Sequence, residues 1–260
     1  MSNIRGILLA ALLAVPALQA EEQLPTLTGS CSVTATSNPA EADLRLERGG
    51  CEGFHNCGST QTQEPLNAFS GFTLADLQRE GARIDAVIHA EAGKVTCSGA
   101  VHDGRLSGDY TFVPDAAFVT HMQQMGFHDF DAEKLQAYTL FRIETAWIRS
   151  IQDTGVTGLD SGNLIALRIF HVDAGYINDL KALGYPAPDA GKLVGLRVQH
   201  VEPEEVKQIR AMGYEPTLDE LVQMRIFKVT PDFIRRMQAR GLKNLTISKL
   251  VQIRIFNLAE

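Results

Sequence analysis

The stretch VTPDFIRRMQARGLKNLTISKLVQIRIFN, Val229–Asn257, decides the fold of the second half of the chain. Thr230 is a good helix N-cap, and Pro231 suits the first helical position, where no backbone N–H is needed. Phe233, Ile234 and Met237 then fall on one helical face. Gly241 can take the left-handed conformation that ends a helix. Thr246 or Ser248 can start a second helix, in which Leu250, Ile253 and Ile255 supply apolar contacts. The stretch therefore reads as a helix-turn-helix of two short helices.

Read outward from there, the pattern recurs. Glycines stand at Gly126, Gly155, Gly184, Gly213 and Gly241, at intervals of 29, 29, 29 and 28 residues. A period in this range is the mark of stacked repeats, in which one unit cannot bury its apolar face alone and its neighbours bury it instead. The units are Pro114–Arg142, Ile143–His171, Val172–His200, Val201–Lys228 and Val229–Asn257. An aromatic stands early in four of them, at Phe118, Trp147, Tyr176 and Phe233, and the fourth unit has Glu205 there. Leu135, Leu164, Leu193, Leu221 and Leu250 follow each glycine. Arg168, Arg197, Arg225 and Arg254 lie four residues after that leucine, with Thr139 in the first unit.

The arginine column has two readings. It could form a ladder for anionic ligands. The favoured reading is structural: each guanidinium, a planar fork suited to bidentate pairing, meets a carboxylate at the next junction, with Asp173, Glu202 and Asp232 five to seven residues beyond Arg168, Arg197 and Arg225. His171 and His200 share one column, which Arg142, Lys228 and Asn257 fill elsewhere, as suits an exposed and replaceable side chain.

The repeating pattern [VT]-x-P-[DE]-[FYE]-[IV]-x-x-[MLI]-x-x-x-G-[YLF], closed by L-[VI]-x-[LMI]-R-[IV], resembles uncharacterised bacterial exported α-helical repeat proteins. It is also similar to the extracytoplasmic repeat tails of beta-lactam-sensor-type transmembrane zinc metallopeptidases. The resemblance covers Val113–Asn257, and KVTCSG with GDYTFVPDAAF looks like the small β segment that precedes such repeats. It implies the repeat type and an envelope setting. The peptidase zinc motif is absent, so no catalytic residue carries over.

Residues 21–112 alternate instead of following a helical period. Ser32–Thr36, Ala42–Glu47, Ile84–Ala90, Lys94–Ala100 and Ser107–Val113 read as strands. Glu91–Gly93 and His102–Arg105 read as hairpin turns, the second with the Asp-Gly pair of a type I′ turn. Thr73–Arg79 reads as a short helix and Ser59–Asn67 as a loop. The last strand runs straight into the first helix, which predicts a packed junction with little linker.

Cys31, Cys51, Cys57 and Cys97 all lie in this front part, and an even count in an exported chain predicts two disulfides. The favoured pairs are Cys31–Cys97, joining two strands, and Cys51–Cys57, closing a Gly-rich loop. The alternative is a metal site on Cys51, His55 and Cys57. Residues 1–20, MSNIRGILLAALLAVPALQA, read as a secretory signal peptide cleaved before Glu21, too short to be a comfortable membrane span. The predicted setting is the periplasm or outside the cell, with no transmembrane segment after cleavage.

Residues 21–112 hold 6 Lys and Arg against 13 Asp and Glu, and residues 113–260 hold 17 against 18, a balance that argues against nucleic acid as partner. No nucleophile elbow, HExxH, P-loop or GxGxxG occurs, and no cofactor is expected. The last unit is locally basic through Arg235, Arg236, Arg240 and Lys243. That cluster is either a solvated cap on the stack or a docking patch for an acidic partner. The fold class expected is α+β: a small disulfide-bonded antiparallel β domain (21–112) followed by a five-unit, α-solenoid-like helical array (113–260). The expected task is non-enzymatic binding or scaffolding of a protein partner in the cell envelope. The second expectation is a sensor of a small ligand or peptide at the β/helix junction, and the third an enzyme.

Overall fold

The computed structural model describes residues 24–49, 58–186, 188–242 and 244–256. It is an α+β structure. Seven antiparallel strands come first: β1 (Leu27–Ala35), β2 (Glu41–Arg48), β3 (Ser59–Pro65), β4 (Phe69–Ser70), β5 (Arg83–Ala90), β6 (Gly93–His102) and β7 (Arg105–Pro114). They form one sheet in the order β3-β2-β1-β7-β6-β5-β4. Alternation sends one face inward. Leu27, Cys31 and Val33 of β1, Ala42, Leu44 and Leu46 of β2, and Leu106, Tyr110 and Phe112 of β7 are all buried.

The sheet is curled. A single short 3₁₀ turn, Leu66–Ala68, carries the chain from β3 at one edge to β4 at the other. Four Cα steps reach about 14 Å at most, whereas seven flat strands spread over about 29 Å, so the edges must bend toward each other. Glycines permit the bend. Gly108 of β7 stands opposite Cys31 of β1 and Gly99 of β6. A Cβ on Gly108 would lie 2.0 Å from the Ser98 carbonyl oxygen, and one on Gly99 would lie 2.1 Å from that of Ser107. Only glycine allows these backbones to approach so closely.

Cys31 on β1 and Cys97 on β6 form a disulfide across the intervening β7. The pair Cys51–Cys57 and the alternative metal site with His55 lie outside the described residues. The five expected strands are present, each extended at one or both ends, and the first stops at Ala35, one residue short of the expected Thr36. The His102–Arg105 turn has positive φ at Asp103 (50°) and Gly104 (71°), as a type I′ turn requires. Thr73 caps the 3₁₀ segment Leu74–Gln78 in a capping box with Asp76. Hydrogen bonds from Thr73 hold the Asp76 carboxyl below its ordinary range.

The Ser59–Asn67 loop expectation needs correcting, because most of that segment is strand β3. Its inward side chains are Thr60, Thr62 and Glu64, so no apolar alternation marks it. It is an edge strand and fills only one ladder, against β2. Glu64 is buried, and burial pushes its carboxyl up in pKa while Arg142 opposes the shift.

Ten helices follow among the described residues: α1 (Ala116–Gln124), α2 (Ala132–Leu140), α3 (Thr145–Gln152), α4 (Ser161–Ile169), α5 (Ala174–Ala182), α6 (Ala190–Val198), α7 (Pro203–Ala211), α8 (Leu218–Ile226), α9 (Pro231–Ala239) and α10 (Ile247–Ile255). Asp115 caps α1 directly after β7, so the predicted linker-free junction is present. α2 packs against β5, β6 and β7. Beyond it the contacts run α2–α4–α6–α8–α10 along one side and α5–α7–α9 along the other. Side-chain caps from Asp131, Asp160, Asp189, Thr217 and Thr246 start the even-numbered helices. Gly126, Gly155, Gly184, Gly213 and Gly241 all have φ between 79° and 91°, the left-handed region that the sequence predicts for Gly241.

Two buried tyrosines tie neighbouring helices together. Tyr138 Oη donates to Ser161 O at 2.9 Å, and Tyr176 Oη donates to Val201 O at 2.9 Å. Burial pushes both phenols well above the ordinary tyrosine value. Above about pH 10 the unfolded chain ionises these groups while the folded chain keeps them protonated, so the unfolded state binds fewer protons and stability falls as pH rises. The expected loss is about 1 kcal/mol for each such tyrosine by about pH 11. Denaturant melts of wild type and Tyr138→Phe at rising pH check this. The variant should lose less than wild type over the same interval.

Candidate functional site

The arginine column is the most regular polar feature of the helices. Arg168 Nε donates to Phe141 O at 2.9 Å, Arg197 Nε to Phe170 O at 3.2 Å, Arg225 Nε to Gln199 O at 3.0 Å and Arg254 Nε to Lys228 O at 3.2 Å. Each acceptor lies 26 or 27 residues back, at the C-terminal end of the preceding even-numbered helix. The last carbonyls of a helix have no partner within it and carry the negative end of the helix dipole, so a guanidinium there satisfies both.

The aromatic column supplies the other side of each guanidinium. Arg168 stands over Trp147 at 5.3 Å, Arg197 over Tyr176 at 4.6 Å and Arg254 over Phe233 at 4.4 Å from the ring centroids. Glu205 replaces the aromatic in the fourth unit and takes the same place, meeting Arg225 at 2.7 Å. A full charge substitutes there for a ring face.

Of the three junction carboxylates, only Glu202 pairs as expected, at 3.0 Å from Arg197. Asp173 instead caps α5 by accepting from the Tyr176 amide. Asp232 instead pairs with Arg235, an arginine three residues along its own helix. A carboxylate in the first turn of a helix is held by the free amides or by the next turn, which removes it from the preceding arginine.

Arg197→Ala removes bonds to Phe170 O, His171 O and Glu202 together with the Tyr176 contact. The expected cost is about 1–3 kcal/mol. Arg197→Lys should recover little of it, since one ammonium cannot reproduce the fork. Urea midpoints of the two variants against wild type measure this.

The opposite edge holds a second set that the sequence reading missed. Gln152, Lys181 and Arg210 donate to the carbonyls of Met125, Thr154 and Leu183, again 27 residues back. Their own spacing of 29 residues was the available signal. Arg210 also pairs with Glu215 and stands 5.2 Å over Tyr185.

In the basic last unit, Arg235 pairs with Asp232 and Arg236 stands 6.0 Å over Phe233, both on α9. Arg240 lies just beyond α9 and is engaged within the chain. Lys243 lies outside the described residues. The positions of Arg142, His171, His200 and Lys228 all have φ between 51° and 54°, the left-handed residue that ends α2, α4, α6 and α8.

Where the sheet meets α2 there is a cavity of about 170 Å³, lined by Leu27, Leu46, Tyr110, Gln136, Ala137 and Leu140 among others. Arg48 and Glu133, which also line it, form an ion pair. The buried Gln136 Nε2 has no hydrogen-bond partner among the described residues. Among those residues, no group of three or more His, Cys, Asp or Glu is placed to hold a metal ion. Among the described residues, no helix is long and apolar enough to cross a membrane. No family model, curated protein or solved structure matches the chain.

Proposed function

We propose that this chain is an exported, non-enzymatic binding or scaffolding protein of the bacterial envelope. In this reading residues 1–20 are a signal peptide and 21–112 a β domain with two disulfides. Residues 113–260 are five helix-turn-helix units stacked as an α-solenoid, accessory to an envelope-sensing system. The observation that carries the reading is the use made of the repeated cations. Donors at Arg168, Arg197, Arg225 and Arg254 go to main-chain carbonyls one unit back. Polar groups spent in this way build a stack, and what a stack offers is extended surface. The Cys31–Cys97 bridge supports an oxidising compartment.

The basic end at Arg235, Arg236 and Arg240 is read as a cap. Cross-linking in the intact envelope, followed by purification and mass spectrometry, tests the main proposal. A protein partner whose cross-link disappears when Arg235, Arg236 and Arg240 become Gln would turn that cap into a docking site.

The cavity at the β/helix junction favours a second reading, a sensor of a small ligand or peptide, because an unpaired buried amide beside apolar walls suits a ligand carrying one acceptor. Ligand-induced thermal stabilisation that is lost in Gln136→Leu would support this reading over the first.

A further inference from the structure

Four exposed aliphatic side chains stand at one position of successive even-numbered helices: Ile169 (41% exposed), Val198 (41%), Ile226 (52%) and Ile255 (48%). Each directly follows a column arginine. Half-buried Ile165, Val194 and Val222 lie one turn earlier on the same face. Because α4, α6, α8 and α10 pack in series, these residues form a continuous apolar row. In α2 the same position is Leu140, which is buried beside the sheet. The chain's own sheet thus covers the first step of the row and leaves the remaining four uncovered.

The two edges of this face differ in charge. The N-terminal edge carries the capping carboxylates Asp131, Asp160 and Asp189, together with Asp219. Lys134 and Lys192, on the same edge, are turned to Asp129 and Asp219. The C-terminal edge carries Arg142, His171, His200 and Lys228. A two-fold axis lying in the plane of the face, along the row and across the helices, would set the acidic edge of one copy against the basic edge of the other, with apolar rows in contact. It would also run the helix dipoles of the two copies in opposite directions.

We infer that this face is the interface of a homodimer, its occupant being the same face of a second copy. Each of the four helices has nine residues, a length of about 13 Å. Stacked at about 9 Å, they present on the order of 450–500 Å² per copy. The pair then buries about 1,000 Å², the lower bound for a specific interface. Such a dimer is weak and dissociates on dilution. Gly195 on α6 fits the same picture, since a Cβ there would meet nothing within 4 Å and no contact within the chain requires glycine. It leaves room beside Val194 and Val198 for an aliphatic side chain of the other copy. The inference goes beyond the binding-module reading, which stands for a monomer equally well.

Sedimentation across two decades of micromolar protein concentration tests the interface. Wild type should rise toward twice the monomer mass. Val198→Lys/Ile226→Lys should stay monomeric with an unchanged melting temperature, because both sites are exposed. Gly195→Gln, which favours the helix and fills the gap, should also stay monomeric and covers the case in which the lysines disturb folding. Val113→Lys, at an exposed aliphatic site off the row, should associate as wild type does. A wild type that is monomeric throughout overturns the inference, and so does association that persists unchanged in both row variants. Failure of these tests would leave any partner found by envelope cross-linking untouched, so the two proposals fail separately.

Discussion

Cys31→Ala/Cys97→Ala is expected to lower the free energy of unfolding by about 4 kcal/mol. The bridge closes a loop with a sequence separation of 66 residues. Removing that constraint from the unfolded chain costs about 4 kcal/mol in the chain-entropy account, within the 2–5 kcal/mol typical of native bridges. That is a large share of the 5–15 kcal/mol available to a typical protein. Both cysteines are buried on the inner face of the sheet, so alanine is the proper replacement, because serine would add a buried hydroxyl. Paired substitution removes this bridge alone, whereas reduction acts on any disulfide in the chain. Urea unfolding of the variant and wild type, followed by circular dichroism, gives the difference. A loss below 1 kcal/mol would mean that the unfolded chain is already compact without the bridge.

The second large effect is expected from one methyl group. Gly108→Ala places a Cβ 2.0 Å from the Ser98 carbonyl oxygen and 2.5 Å from the Gly99 Cα. Both are backbone atoms of the neighbouring strand and cannot turn aside as the end of a side chain can. The two strands must separate there, at a cost of about 3 kcal/mol or more. Gly195→Ala is the internal contrast. The new methyl meets nothing there, and alanine in mid-helix is favoured over glycine by about 0.5–1 kcal/mol. Thermal melts of the two variants should therefore move in opposite directions. Equal behaviour would show that the sheet can relax around Gly108 and that its curl does not depend on the glycine.

Much of this architecture was legible before any coordinates. Helix ends were readable because caps and left-handed glycines are local choices, made by Thr230, Thr246, Gly184 or Gly213 with their immediate neighbours. Strands with one apolar face were readable for the same reason. β3 was hidden because an edge strand facing inward with Thr60, Thr62 and Glu64 shows no hydrophobic alternation. The curl was hidden because a glycine in SGA or SGD reads alike whether its neighbour strand is near or far. The arginine column was visible as a period, but its acceptors are main-chain carbonyls, which carry no sequence signature. Glu205 looked like a departure from the aromatic column, yet it serves the same arginine by charge. The exposed row was present in every [LMI]-R-[IV], but whether Ile169 or Val198 faces core or solvent is decided by what covers each helix.

The position of the disulfide has a mechanical consequence. β1 enters beside the end of β7, with Leu27 opposite Phe112, and β7 leads directly into the helices. Tension between the N-terminal side of the sheet and the helices would open this pair like a zipper, one ladder step after another. Only Leu27, Thr28, Gly29 and Ser30 precede Cys31 along the strand. There the tear meets a covalent stop, because Cys31 is fastened past β7 to Cys97 on β6. Force arriving through the chain is thereby passed from β1 to β6, and the β6–β7 ladder takes up a load that the β1–β7 pair would otherwise carry alone.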